Sequence, residues 1–346
     1  MTSRLPSRSL SWIDRVTSWI EKLILPTWLA YLILYITFVV LIQLLSWVDG
    51  YEFWGVFSVN SFFNALWVPL GLAGVHYLNS VARTALKEFR PVMDCDEEEY
   101  SNLEFQMTKL PKSVVLSING VVAIILISVA LSDPSNISSE LTSDFISLWV
   151  IVPYMVIGFS FFVILFYQTV RRLLLVYRMY SLVKDINIFK LQPLYSLSGL
   201  NVKTGFVWII GMNLNIVSSF ILETGPGSTL LSTTQIIVEV ILIILVFLLP
   251  VLDIHKRIQQ AKENLLNENG DQLRNINTEL HQRLDDRNLA EIRSYERGIS
   301  ALISLRSEIE NTHTWPWNRA TFRGFLSAVF LPIFIFLIQQ VLSRYL

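Results

Sequence analysis

The chain is poor in the residues that most recognisable chemistry needs. One cysteine, Cys95, stands in 346 residues, which excludes an intrachain disulfide and any cysteine-rich zinc or iron–sulfur site. Its four histidines, His76, His255, His281 and His313, have no metal-ligating partner at i+4, and HExxH, GxSxG, Walker A and GxGxxG motifs are all missing. No catalytic constellation and no cofactor site can be read from it. Charged residues make up only 16%, against about 25% in ordinary soluble domains. The formal net charge of −1 gives no basic footprint for nucleic acid.

What remains is apolar. Hydrophobic residues make up 53% of the chain and its mean hydropathy is +0.50, more than one globular core of this length can hide, so the natural solvent is lipid. A hydrocarbon layer about 30 Å thick needs roughly 20 apolar residues per helix. Seven such runs are present, near 27–47, 54–79, 114–132, 145–170, 205–222, 231–252 and 322–342. The second and fifth are the most polar, carrying Asn60 with Asn64 and Asn213 with Asn215.

The basic residues provide a test independent of hydropathy, because cytoplasmic loops retain Lys and Arg and short exported loops do not. Arg4, Arg8, Arg15 and Lys22 precede the first run; Arg83, Lys87, Arg90, Lys109 and Lys112 lie between the second and third. Arg171, Arg172, Arg178, Lys184, Lys190 and Lys203 separate the fourth and fifth, and nine more in 253–313, with Arg319 and Arg323, separate the sixth and seventh. Seven spans therefore place 26 of the 27 basic residues on one side, Arg344 excepted, with the N-terminus in the cytoplasm and the C-terminus outside. The expected fold is all-α: a polytopic bundle of seven transmembrane helices in the plasma (inner) membrane, with no cleavable signal peptide.

Four regions follow: a cytoplasmic N-terminal segment (1–26), six spans (27–252), a polar module (253–318), and the seventh span with an external C-terminus (319–346). In the first, Trp12, Val16, Trp19 and Leu23 recur every three to four residues, which suits a short helix in the headgroup layer or an extension of the first span. Trp315 and Trp317, around Pro316, form a second pair of interfacial anchors. In the polar module, Ile254, Ile258, Ala261 and Leu265, then Leu273, Ile276, Leu280 and Leu284, repeat at coiled-coil spacing. A second series runs from Leu289 through Ile292, Tyr295, Ile299, Leu302 and Leu305 to Ile309. The break at 285–288 predicts an antiparallel cytoplasmic hairpin with arms reaching about 35–48 Å, unless Gly270 interrupts the first. Such a module either joins two spans, drives homo-oligomerisation, or docks a cytoplasmic partner through 253–313.

Smaller features have paired readings. The acidic run Asp94–Tyr100 suits a solvated face or an attractor for cations, and Asn136-Ile-Ser138 is a glycosylation sequon on the outer side. The segment 185–196 reads as an interfacial or hairpin-packed elbow. Pro69, Pro153, Pro250 and Pro332 fall inside or at the ends of spans, where they kink helices. Glu239, near the middle of the sixth span, is costly unless it faces a polar interior. Gln235, Asn213, Asn215, Asn60, Asn64, Gln339 and Gln340 are its candidate companions, either around a polar cavity or ion path or as interhelical glue.

Trp315-Pro-Trp317, Thr321-Phe-Arg-Gly324, Leu331-Pro332 and Ile338-Gln339, with Asp185-Ile-Asn-Ile-Phe189 and Pro193-Leu-Tyr195, resemble an uncharacterised family of prokaryotic multi-pass proteins, over about a quarter of the chain. That resemblance implies no activity. In topology alone, seven spans with the N-terminus inside resemble the insect odorant and gustatory receptors, ligand-gated cation channels that assemble as tetramers. Their Thr-Tyr…Gln-Phe signature is replaced here by Leu331-Pro…Ile-Gln-Gln340, and the 253–318 module is additional. The sequence thus suggests an oligomeric channel or channel-like chemoreceptor, then a sensor or scaffold, then a secondary transporter, for which no internal repeat is visible.

Overall fold

Uninterrupted apolar sequence with few internal helix breakers leaves the backbone no partners but its own, and helices result. The computed structural model describes residues 10–48, 50, 52–132, 145–183, 186–221, 226–284 and 289–315, and beyond them 323, 324, 326, 327, 329, 330 and 334. Nine α-helices are present among these residues: α1 (Trp12–Glu21), α2 (Thr27–Val48), α3 (Val59–Phe89), α4 (Glu97–Thr108), α5 (Lys112–Ser132), α6 (Phe145–Ser181), α7 (Gln192–Ile221), α8 (Pro226–Leu284) and α9 (Leu289–Asn311). No strand occurs among the described residues.

Four helices are long and apolar enough to cross a membrane, at Thr27–Val48, Lys112–Val129, Val152–Ser181 and Gln192–Ser218. The second expected run behaves differently. Gly50 and Gly55, at φ 71° and 90°, turn the chain before it, and α3 starts only at Val59 and continues ten residues past Asn79. Asn60, Asn64, His76 and Asn79 dilute its apolar character, and its packing face carries much of the core. The backbone of the sixth run is helical within α8, and most of its side chains lie outside the described residues, as does most of the seventh run.

Two apolar cores hold the helices. The first joins Ile13 and Ile20 of α1, Val68, Leu72 and Val75 of α3, Val115 of α5, and Phe161 and Ile164 of α6. The second joins Ala82–Phe89 of α3, Leu103 and Met107 of α4, Leu175–Tyr180 of α6, Leu191–Leu200 at the start of α7, and Ile254 and Ile258 of α8. α3, α6 and α7 thus extend beyond their most apolar stretches and pack against each other there. The second half of the expected elbow, from Gln192, is the first turn of α7 rather than a loop.

α1 packs chiefly through Ile13, Asp14, Thr17 and Ile20, with Trp12 and Val16 of the tryptophan stripe against the edge of the same core. Those four residues are buried, while Trp19 is 63% exposed. Each buried isoleucine contributes roughly 1.5–3 kcal/mol. Trp12 meets Phe161 edge-on at 5.8 Å.

α8 is one helix of 59 residues, about 88 Å at 1.5 Å per residue, so the expected boundary at 252/253 falls inside a continuous rod. Gly270 does not interrupt it. α9 runs back along it. Lys262 Nζ donates to Glu310 O at 2.6 Å and Thr312 O at 3.2 Å, Asn269 Nδ2 donates to Leu302 O at 3.2 Å, and Gly298 lies against Ile276.

Candidate functional site

The best-defined polar structure is a junction where α1, α3, α4, α5 and α6 converge. Ser11 caps α1, its Oγ accepting from Asp14 N at 3.1 Å and donating to Asp14 Oδ2 at 2.8 Å. The same Oδ2 accepts the backbone N–H of Leu110, 96 residues away, at 3.1 Å. Leu10 and Pro111 form an antiparallel bridge beside it. On the other side, Arg171 Nη1 donates to Lys109 O and Arg172 Nε to Met107 O, each at 3.1 Å. Arg172 Nη2 donates to Asn79 Oδ1 at 2.5 Å, which also accepts from Gln168 Nε2 at 3.5 Å.

The end of α4 and the α4–α5 linker (109–111) are thereby held by a carboxylate at the Leu110 amide and by two guanidinium groups at the Met107 and Lys109 carbonyls. Such charge-assisted bonds are about twice as strong as neutral ones. Asp14 is fully buried and Arg172 is 3% exposed. The sequence reading counts both arginines only as loop charges. No local signal shows that Arg172 is buried, because its partners, Met107 and Asn79, come from two other helices.

A second chain of bonds ties α1, α2 and α3. Tyr31 Oη lies 2.8 Å from His76 Nδ1, whose Nε2 lies 3.1 Å from Glu21 Oε1. His76 is nearly buried, and its two neighbours take up both ring nitrogens.

Some of the candidate polar residues lie among the described residues. Asn64 Nδ2 donates to Asn60 Oδ1 at 3.0 Å on the same helix, and Tyr154 of α6 donates to Asn64 O at 2.8 Å. Asn213 Nδ2 bonds Ile209 O of its own helix at 2.7 Å. Asn215 lines a cavity between α3, α6 and α7. The side chains of Gln235 and Glu239, and the whole of Gln339 and Gln340, lie outside the described residues.

Of the interfacial candidates, Trp315 stacks on His255 at 4.2 Å between ring centres, and His313 O accepts from Tyr195 Oη of α7 at 3.0 Å. The chain leaving α9 is thus seated on α7 and α8. Trp317 lies outside the described residues. The acidic run has structural duties: Asp96 Oδ1 caps α4 at Glu99 N, Glu97 pairs with Arg90, and Glu99 lies 3.7 Å from Arg178. Arg90 also covers the Tyr100 ring at 4.7 Å. Burial, with the charges of Glu99 and Asp96, pushes the Cys95 thiol pKa up. Among the described residues no three potential metal ligands come together.

The seam between α8 and α9 contains one residue that periodicity alone passes over. Asn269, 3% exposed, sits between Leu266 and Leu273 at heptad spacing, with its Oδ1 buried and unpaired.

This architecture is that of an all-helical protein with several helices apolar enough to lie in a membrane. No family model matches the chain, and neither the curated proteins nor the solved structures give a match.

Proposed function

We propose that the protein is a seven-span membrane protein acting as an oligomeric ion channel or channel-like chemoreceptor, with the α8/α9 pair as a cytoplasmic assembly or gating module. The observation that carries the reading is the continuity of α8. A rod that contains the apolar run 231–252 packs Ile254 and Ile258 into the core shared by α3, α6 and α7, then continues to Leu284 beside α9. Displacement of the distal pair therefore moves the base of the bundle, as a gating lever must. The segregation of basic residues and the topological resemblance to the insect receptors support the same reading.

Purified protein in liposomes should pass monovalent cations, and Glu239→Gln should reduce or alter that flux. Flux no greater than in protein-free liposomes would end the channel reading; unchanged flux in the variant would remove Glu239 from the path.

A second reading is a sensor or scaffold. Ile303 and Leu305 are 56% and 36% exposed on α9, beyond the apolar spans, which suits docking of a soluble protein. Replacing both by Glu with the cellular phenotype intact would remove it.

A further inference from the structure

Glycine has no side chain to fill the space between helices, and α3, α6 and α7 each place glycine where they meet. Gly71 makes the closest approach: a Cβ there would lie 2.6 Å from Phe161. Beyond that contact the helices separate around a cavity of about 260 Å³. Gly74, Gly158 and Gly211 line it, and a Cβ on Gly211 would meet no heavy atom within 4 Å.

Five aromatic side chains, Trp67, Tyr77, Phe161, Phe162 and Trp208, share the walls with aliphatic residues and glycines. Trp208 is fixed by its indole N–H, which donates to Thr169 Oγ1 at 2.9 Å, and it meets Phe162 edge-on at 5.2 Å. Polar groups are few: Asn215 and Tyr77 are the main ones, and Tyr77 with Ile210, each about half exposed, marks the rim. α6 and α7 are both apolar enough to cross a membrane, so the space sits beside hydrocarbon and an apolar molecule reaches it without crossing water.

We infer that this cavity binds a compact apolar molecule, of about ten heavy atoms with one hydrogen-bonding group, that partitions into the bilayer. The size follows from scale: an apolar cavity of about 150 Å³ accommodates benzene. The fixed Trp208 and Phe162 rings favour a ring over a flexible chain, because edge and face contacts are specific to rings. The single amide at Asn215 orients the polar end, the usual division of labour in small-molecule sites. The inference deepens the chemoreceptor reading and rests on it for its biological meaning, but the site itself is testable without flux.

The full-length protein in nanodiscs is dialysed against labelled 2-naphthol, with empty nanodiscs as the reference. Expected is a saturable excess near one molecule per chain. Gly211→Leu, whose side chain enters the cavity without a clash, should weaken it by about tenfold or more. Gly120→Leu, equally open on α5 but away from the cavity, should bind like the parent. Asn215→Leu should reduce the preference for 2-naphthol over naphthalene.

Absence of a saturable excess with 2-naphthol, naphthalene and 1-octanol alike would overturn the proposal. So would unchanged binding in a Gly211→Leu protein that melts like the parent. An excess seen only after delipidation, and lost on adding phosphatidylcholine, would assign the cavity to a lipid tail and overturn it as well. Binding without ion flux would sink the channel reading and leave the site standing; flux without binding would do the reverse.

Discussion

Removing the carboxylate of Asp14 should release the α4–α5 linker from α1. In the structure its Oδ2 takes two donors, Ser11 Oγ at 2.8 Å and Leu110 N at 3.1 Å, with all three residues buried. Hydrogen bonds to a charged group contribute about 1.5–3 kcal/mol each, and a buried amide left without a partner costs a similar amount. Asp14→Ala removes the bond to Leu110 and strands that amide. Every 1.4 kcal/mol is a factor of ten, so exchange of the Leu110 amide should accelerate by about 10- to 100-fold. Asp14→Asn keeps an oxygen acceptor and sheds a buried charge, so it should stay much closer to the parent. Hydrogen exchange read by mass spectrometry on peptides spanning 104–115 and 12–21, in detergent or nanodiscs, measures both segments. If Asp14→Ala leaves 108–111 as protected as in the parent, with α1 still protected, the junction as described is wrong.

Other perturbations have clear directions. Gly71→Ala places a methyl group against Phe161, and overpacking of this kind costs about 1–3 kcal/mol, so its melting temperature in detergent should fall while Gly211→Ala leaves it unchanged. Asn269→Leu replaces an unpaired buried oxygen in the α8/α9 seam by an apolar group, which outweighs the lost bond to Leu302 O, and should raise thermal stability while relaxing register, read as new cross-links between cysteine pairs shifted by one heptad. Cys95 reacts as thiolate, and its raised pKa lowers the thiolate fraction at neutral pH. Maleimide labelling at pH 7 should therefore be slower than that of a free thiol, the difference should shrink as pH rises, and Glu99→Gln should speed the reaction at pH 7.

The sequence made the apolar helices legible because their signal is local and long. The first run, expected at 27–47, is α2 at Thr27–Val48, and the third, expected at 114–132, is α5 at Lys112–Ser132. Helix faces were harder. α1 has apolar residues on two sides, and the side that packs contains Asp14, which no hydropathy pattern would choose to bury. Its Oδ2 is satisfied there by Ser11 and the distant Leu110, while its Oδ1 is buried without a partner. Arg172 eluded the reading for the same reason: charge counting registers its sign, but its partners at Asn79 and Met107 are supplied by tertiary structure. Asn269 was invisible to a search for apolar periodicity although it occupies a position within it. The glycine-lined cavity leaves no sequence signature, since glycines 71, 74, 158 and 211 are gathered only when three helices pack.

The membrane arrangement proposed for the chain is tested most directly by thiol accessibility from one side. Cys95→Ser gives a cysteine-free background, and single cysteines are placed at Ser138, Ser228 and Ser300. With a membrane-impermeant maleimide on intact cells, Ser138→Cys and Ser228→Cys should label, and Ser300→Cys should label only after permeabilisation. External labelling at position 300 would place the α8/α9 pair outside and contradict the account.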